Sequence, residues 1–364
     1  MRLGLRTLAQ MDTLLVTIRI PDAQLDKMRQ AFKSVHYYPD NAPIPPEALE
    51  TAEMLFTSGA RFASSIKSLD GLPKLKHIQM GSAGANGILG TAQMKEYLEK
   101  QRAREITLAG ASGTHVLSIP NYVVAMIITL YHQLHTQIIV ARTQAKWLTG
   151  EEIDQSGEGI YARSTFGRTV GLLGYGALGR ETARLLKAHG MRVIAANTSG
   201  QRTVDEGYII PGTGDKEGSI PEAFYSTKDP QSLEAFLKET DVLVASLPGT
   251  PQTQYLLDAE KLALLKPNAL FINVGRGSLI RSEDILTALD APKGLFGAAL
   301  DVTDPEPLPE GHALFAHPKC IVTPHLSGDT EREFEIAADI ALENAERIRK
   351  GEKVVNLIDP AKGY

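Results

Sequence analysis

The sequence predicts an α/β protein of two doubly wound parallel-sheet domains, one inserted into the other, and three observations carry the prediction. Short apolar runs alternate with helix-patterned segments along the chain. One such unit, Thr169 to Arg180 (TVGLLGYGALGR), sets Gly174, Gly176 and Gly179 in GxGxxG spacing between an apolar run and a helix pattern. A late helix with a single apolar stripe reads as packing back onto the first domain, which makes that domain discontinuous.

The 364 residues suit about two domains, each large enough to bury a core. A net charge of −5, with no dense basic run, leaves no electrostatic footprint for nucleic acid or an anionic membrane, so neither is expected as a partner. Cys320 is the single cysteine. It allows no intrachain disulfide and no thiolate metal cluster, and it fits a reducing, cytoplasmic setting. The longest apolar stretch, Val123 to Leu130, is far too short to span a bilayer. The opening MRLGLRTLAQM carries Arg2 and Arg6 without the serine enrichment or length of a transit peptide, and reads as an untargeted extension.

In order, Leu14 to Ile20 is β-rich, Asp22 to Phe32 helix-like, and Met54 to Thr57 a short strand. Leu72 to Met80, opened by Pro73, reads as a strand that ends in Gly81, Ser82, Ala83 and Gly84. That exit is either a plain loop or a set of backbone N–H groups for a small anion. Pro120 to Gln133 is an apolar helix that begins at proline, a good first-turn residue, and the domain crossover is placed there. Arg142 to Ser164 holds the one tryptophan, Trp147, as either a subunit-contact anchor or a core residue.

In the glycine motif, the first glycine permits the turn, the second lets the backbone approach a pyrophosphate, and the third lets helix and strand pack closely. Met191 to Ala196 completes the βαβ unit, which is the context the motif requires for dinucleotide binding. Thr203 to Lys228 shows no period and reads as an extended loop or insertion. Alternation then resumes: Ser232 to Lys238 helix, Val242 to Leu247 strand, Leu262 to Leu265 within a helix, Leu270 to Val274 strand, Glu283 to Leu289 helix, then strands at Gly297 to Leu300 and Ile321 to Thr323. Thr330 with Glu333 forms a capping-box signature for the last helix. Its stripe is Phe334, Ala337, Ala338, Ala341, Ala345 and Ile348, and Gly351 ends it.

Three strand exits carry candidate chemistry. Arg276, between Gly275 and Gly277, is free to hold a carboxylate bidentately, or is a solvated surface arginine. Asp301 to Pro307 (DVTDPEP) fixes Glu306 in a proline-stiffened loop. His325 follows Thr323-Pro324, and alone would more often be a structural histidine hydrogen-bonded to backbone than a catalyst. As a set they make chemical sense, because a histidine that meets a carboxylate through one nitrogen keeps its proton more tightly and can protonate a ketone oxygen while hydride reaches the carbon. The histidines are scattered, without zinc-ligand spacing, so no metal is expected.

At these residues the chain resembles the D-isomer-specific 2-hydroxyacid dehydrogenases. GYGALG, SLPGTPQT, LKPNALFINVGRG, GAALDVTDPEPLP and TPHLSG occur in that family's order, over most of the chain after about Gly113. DVTDPEPLP looks most like the glyoxylate and hydroxypyruvate reductase branch. The resemblance implies a Rossmann dinucleotide-binding domain (120–326) inserted in a flavodoxin-like substrate-binding domain (1–119 plus 327–364), and NAD(P)H-dependent reduction of a 2-oxo acid to the D-2-hydroxy acid. It implies Arg276 as the substrate-carboxylate binder, His325 as acid/base and Glu306 as its partner, with backbone N–H groups of Gly81 and Ser82 offered to substrate. Ala177, Leu178, Pro248, Thr253, Val274 and Asp301 should line the cofactor, with Gly174, Tyr175, Gly176 and Gly179 of the loop. A homodimer is the family expectation.

Two departures stand out. Where the family often has an acid after the second strand, this chain has Asn197, followed by Thr198, Ser199 and Arg202. Without that carboxylate nothing repels a 2′-phosphate, which predicts NADP(H) over NAD(H), with Arg202 or Ser199 as phosphate contacts. Pro120-Asn121 stands where relatives often carry Ala-Glu at the hinge. Arg61 and Phe62 are expected to face the cleft and tune substrate size. The alternative of another class is a nicotinamide-sensing, corepressor-like interaction protein. Fold alone does not separate it from an enzyme, though the lack of a long disordered or strongly charged tail counts against it.

Overall fold

The computed structural model describes residues 11–100, 105–154, 157 and 159–362. The expected N-terminal extension lies outside these except for Met11, as do 155, 156 and 158 of the segment around Trp147. Contacts divide the chain into two units: one of Met1–Thr114, Glu206–Tyr208 and Thr330–Tyr364, the other of His115–Asp205 and Ile209–Asp329.

The first unit is built on five parallel strands: β1 (Thr13–Val16), β2 (Ser34–Tyr37), β3 (Met54–Thr57), β4 (His77–Met80) and β5 (Thr107–Ala109), in the order β2-β1-β3-β4-β5. That is the flavodoxin-like order the sequence predicts. β3 and β4 are buried along their whole length, as parallel strands covered on both faces are. The helices Asp22–Ala31 and Glu333–Lys350 pack against each other, the second presenting Ala337, Ala338, Ala341, Ala345 and Ile348. Gly351 closes it in the left-handed conformation.

Several expectations need correction. β1 stops at Val16, short of Ile20, and β4 begins at His77, because Leu72 and Leu75 are buried in a turn around Pro73. β2 and β5 are missing from the sequence reading: one is a half-exposed edge and the other has three residues. The Thr330–Glu333 capping box does not form. The helix starts at Glu333 with Arg332 at its N-cap and no side-chain cap bond, so Thr330 lies too far upstream. Phe334 is correspondingly exposed.

A buried polar network fastens this unit. Asn344 Nδ2 donates to Gln79 Oε1 at 2.8 Å and Asn344 Oδ1 accepts from Val355 N at 2.8 Å, tying the last helix and the segment beyond it to β4. His77, fully buried, meets Thr107 Oγ1 through Nδ1 at 2.8 Å. Burial pulls its pKa down from 6.5 to about 4, against the hydrogen bonds from Gln79 and Thr107.

The second unit has seven parallel strands: β6 (Thr169–Leu173), β7 (Arg192–Asn197), β8 (Ala223–Ser226), β9 (Val242–Ala245), β10 (Leu270–Asn273), β11 (Gly297–Leu300) and β12 (Cys320–Val322), ordered β12-β11-β10-β9-β6-β7-β8. Alternate residues face opposite covers. Leu172, Val244 and Ile272 meet helix Ile119–Tyr131, while Leu173, Leu243 and Phe271 meet Phe236 and Leu289. The order reverses between β6 and β9, so the carboxyl ends of these two strands form the switch point at which such sheets bind ligands. The 203–228 stretch is irregular as expected until β8, which pairs with β7; an isolated four-residue edge strand leaves no periodic trace. Trp147 is 94% exposed, which removes the core reading. Among the described residues no single helix is long and apolar enough to cross a membrane; the one pair that passes by length and composition, Ile119–Tyr131 with Leu134–Gln144, is bent by 70°.

The state of His77 sets a pH dependence. Between about pH 6.5 and about pH 4 the unfolded chain binds this proton and the folded chain does not, so stability falls as pH drops through that window, by at most about 3 kcal/mol. Urea titrations from about pH 7 to about pH 4.5 should show a shallower acid loss for His77→Asn than for wild type. Parallel pH slopes would refute the assignment.

Candidate active site

At the switch point, each glycine of GxGxxG answers a different demand. Gly174 follows β6 at φ +105°, where a side chain would be strained and would also crowd Ser246 at the end of β9. A Cβ at Gly179 would overlap the Gly174 carbonyl, so helix Ala177–Ala188 packs directly on the turn. At Gly176 nothing lies within 4 Å of where a Cβ would stand. Protein packing therefore makes no demand at 176. The open cradle beside the first turn of a twelve-residue helix is what a dinucleotide's pyrophosphate requires, and a side chain would fill it. The residues fit a nicotinamide dinucleotide.

Tyr175 turns away from that cradle. Its ring is buried edge-on to Phe224 and its hydroxyl donates to Asp215 Oδ2 at 2.7 Å, so Tyr175 belongs to the cofactor loop through its backbone. Arg180 is 3% exposed beneath the same turn, donating to the carbonyls of Asp215 (2.6 Å) and Thr203 (2.8 Å) and stacking on Tyr175. The excursion after β7 thus buttresses the glycine turn from below. Ala177 and Leu178 are half-buried at the start of the helix.

At the β7 exit, Asn197 builds its own turn: Oδ1 accepts from Ser199 N (3.1 Å) and Gly200 N (2.7 Å), and Nδ2 donates to Gln201 O. Thr198, Ser199 and Arg202 are exposed. Ser199 Oγ donates to Asn197 Oδ1, and Arg202 Nε donates to the Glu217 carbonyl at 2.6 Å. At the β9 exit, Thr253 Oγ1 donates to the Pro248 carbonyl at 2.7 Å and accepts from Thr250 N, bracing the loop from within.

The exits of β10, β11 and β12 interlock. Buried Asn273 shapes the first, its amide donating to Arg276 O at 3.1 Å and its oxygen accepting from Gly275 N at 3.1 Å; Val274 is buried beside it. A Cβ at Gly275 would stand 2.7 Å from the Leu247 carbonyl, and one at Gly277 would overlap the Thr303 carbonyl, so Arg276 is held between the β9 and β11 exits. Asp301, 3% exposed, ties β11 to the loop after β12: Oδ1 accepts from Thr323 Oγ1 (2.7 Å) and Leu326 N (3.2 Å), and Oδ2 accepts from Ser327 N (3.2 Å) and from the Ser327 hydroxyl. That loop carries His325 at φ +56°, a left-handed conformation uncommon for a residue with a side chain. His325 Nδ1 lies 2.6 Å from Glu306 Oε1, with both side chains about half exposed.

On the other unit, the Gly81 N–H donates to the Thr57 carbonyl at 2.8 Å, continuing the sheet, so of the expected pair of backbone donors it is already spoken for; Ser82 follows it. Phe62 is fully buried in that unit's core, and Arg61 braces the chain at Tyr38, Asn41 and Ala42, which removes both as tuners of substrate size. The sequence reading missed Asn273, Ser327 and Thr323, although a polar residue closing an apolar strand marks the first. Nothing local marks the pairing of Arg180 with Asp215.

The family model for the D-isomer specific 2-hydroxyacid dehydrogenase, NAD binding domain, matches residues 124–327. Glyoxylate/hydroxypyruvate reductase A of Photorhabdus laumondii is 32% identical over 291 residues, 80% of this chain and 82% of that protein. An uncharacterized protein of Corynebacterium melassecola is 30% identical over 319 residues, 87% of this chain and 92% of its own. The crystal structure of a D-isomer specific 2-hydroxyacid dehydrogenase family protein from Aeromonas salmonicida is similar with a TM-score of 0.71 at 25% identity, over 96% of this chain and 100% of that one.

Proposed function

The chain belongs to the D-isomer-specific 2-hydroxyacid dehydrogenase family, and from that premise we propose that it reversibly reduces a 2-oxo acid, of the glyoxylate or hydroxypyruvate kind or bulkier, to the D-2-hydroxy acid, with NADP(H) preferred over NAD(H). The observation that carries the proposal is the 2.6 Å contact of His325 with Glu306 at the sheet edge that also bears Arg276 and the Gly176 cradle. The unit of β6 to β12 takes the dinucleotide, and the unit of β1 to β5 has the substrate-binding role, with Ser82 as a backbone donor.

A bound nicotinamide would supply hydride to the substrate's carbonyl carbon. Glu306, by accepting from Nδ1, fixes the tautomer so that Nε2 of His325 hands its proton to the carbonyl oxygen as the alkoxide forms. Arg276 holds the substrate carboxylate in its planar fork, which orients the carbonyl. Product leaves as the hydroxy acid and His325 is left neutral. The cofactor preference is supported by Asn197, which stands where relatives often carry a repelling acid, and by the exposed Thr198, Ser199 and Arg202 that follow it.

A second copy of the chain is the proposed partner. Ile138, Ile139, Trp147 and Phe166 are exposed apolar groups close together in sequence, a cost in water that association removes. Sedimentation should return twice the chain's mass; a monomer at micromolar concentration would contradict this.

The activity is tested by NADPH and NADH oxidation with glyoxylate, hydroxypyruvate, phenylglyoxylate and branched 2-oxo acids. NADPH should give the higher kcat/KM, and His325→Ala should lower kcat by about 10²–10⁴ with the cofactor Kd nearly unchanged. A higher efficiency with NADH would refute the preference, and near-normal turnover of His325→Ala would refute the proton donor. No oxidation with any acid would favour the corepressor-like reading.

A further inference from the structure

The loop carrying His325 is held from the sheet side by Asp301, and its other end meets a second histidine outside all the motifs above. His115 precedes helix Ile119–Tyr131. Its carbonyl accepts from Ser118 N (3.1 Å) and Ile119 N (3.0 Å), so its backbone is fixed to the helix start. Its ring Nδ1 lies 3.0 Å from the Gly328 carbonyl. A carbonyl only accepts, so Nδ1 carries the hydrogen. Two further bonds run between the same elements: the Ser118 hydroxyl to the Ser327 carbonyl, and Tyr122 Oη to Thr323 Oγ1 at 2.8 Å. The fit is close, since a Cβ at Gly328 would stand 3.1 Å from His115 Nδ1.

We propose that His115 is a positioning residue for the reaction: its ring, donating to Gly328, fixes the far end of the 323–328 loop and so sets where the His325 imidazole stands. The groups around it favour a neutral ring. Burial pushes its pKa below the ordinary histidine range, Arg276 and His325 push the same way, and the Gly328 bond and Asp329 only partly oppose them. A neutral His115 adds no positive charge beside Arg276.

The inference rests on His325 as proton donor, so its test is run beside His325→Ala. His115→Phe keeps an aromatic ring, somewhat larger, and removes the donor, whereas His115→Asn keeps a short donor. The Phe variant should lose roughly tenfold to a hundredfold in kcat, with KM for the oxo acid and Kd for NADPH within about twofold, and its solvent deuterium isotope effect on kcat should rise as proton transfer limits turnover. Asn should recover most of the rate. Gly328→Ala, which crowds the same bond from the loop side at a φ that alanine tolerates, should reproduce the Phe phenotype even if His115→Phe folds poorly. If His325→Ala is inactive while His115→Phe and Gly328→Ala turn over normally, or if the rate falls without a change in the isotope effect or rescue by Asn, the positioning role is wrong. If His325→Ala itself stays active, the functional reading fails first.

Discussion

Most of the candidate site hangs on one buried carboxylate. Asp301 stands at the carboxyl end of β11 with almost no access to water, where an unpaired charge would be expensive. Its oxygens are satisfied by two backbone N–H groups and two hydroxyls, all from the segment Thr323 to Ser327. The carboxylate is buried beneath the β12 exit that supplies these donors, and that exit turns through the left-handed conformation at His325. Strain on the order of 1–3 kcal/mol at such a residue is the sort that a four-bond anchor can hold. The same loop places the imidazole against Glu306, which sits five residues beyond Asp301 on the β11 exit. One strand end thus supplies both the anchor of the histidine loop and the carboxylate that orients the ring.

The glycine turn follows a similar logic with opposite means. Where Asp301 gathers donors, Gly174 to Gly179 clears atoms away, and the space at Gly176 has no packing explanation inside the protein. The loop stays in place because Tyr175 and Arg180 reach down to Asp215 and Thr203, so a stretch that looks like an insertion supports the dinucleotide turn. This gives the 203–228 segment a physical role apart from any contact it makes with cofactor.

Much of this was legible in the sequence because it is written in local pattern. Apolar runs gave the parallel strands, the GxGxxG spacing between strand and helix gave the switch point, and the flavodoxin-like order of the first sheet agreed with expectation. The contact of His325 with Glu306 was expected from the family resemblance alone, since nineteen positions separate them and no periodicity joins them. What was not legible depends on long-range pairing. β8 pairs at an edge, Gly81 gives its N–H to the sheet, Phe62 is swallowed by the core, and Tyr175 turns inward because Asp215, forty positions on, accepts its hydroxyl. The Thr330–Glu333 signature failed for a local reason: the helix begins only at Glu333, and the same motif does close at Thr149–Glu152.

The central claim is that Asp301 acts by holding the histidine loop, and steady-state kinetics of Asp301→Asn beside calorimetric NADPH binding test it most directly. The carboxamide replaces one accepting oxygen with a donor that faces donors. The account predicts a fall in kcat of roughly tenfold to a hundredfold with the cofactor Kd changed by no more than a few-fold. A variant with unaltered kcat, or one whose loss is entirely weaker NADPH binding, would contradict it.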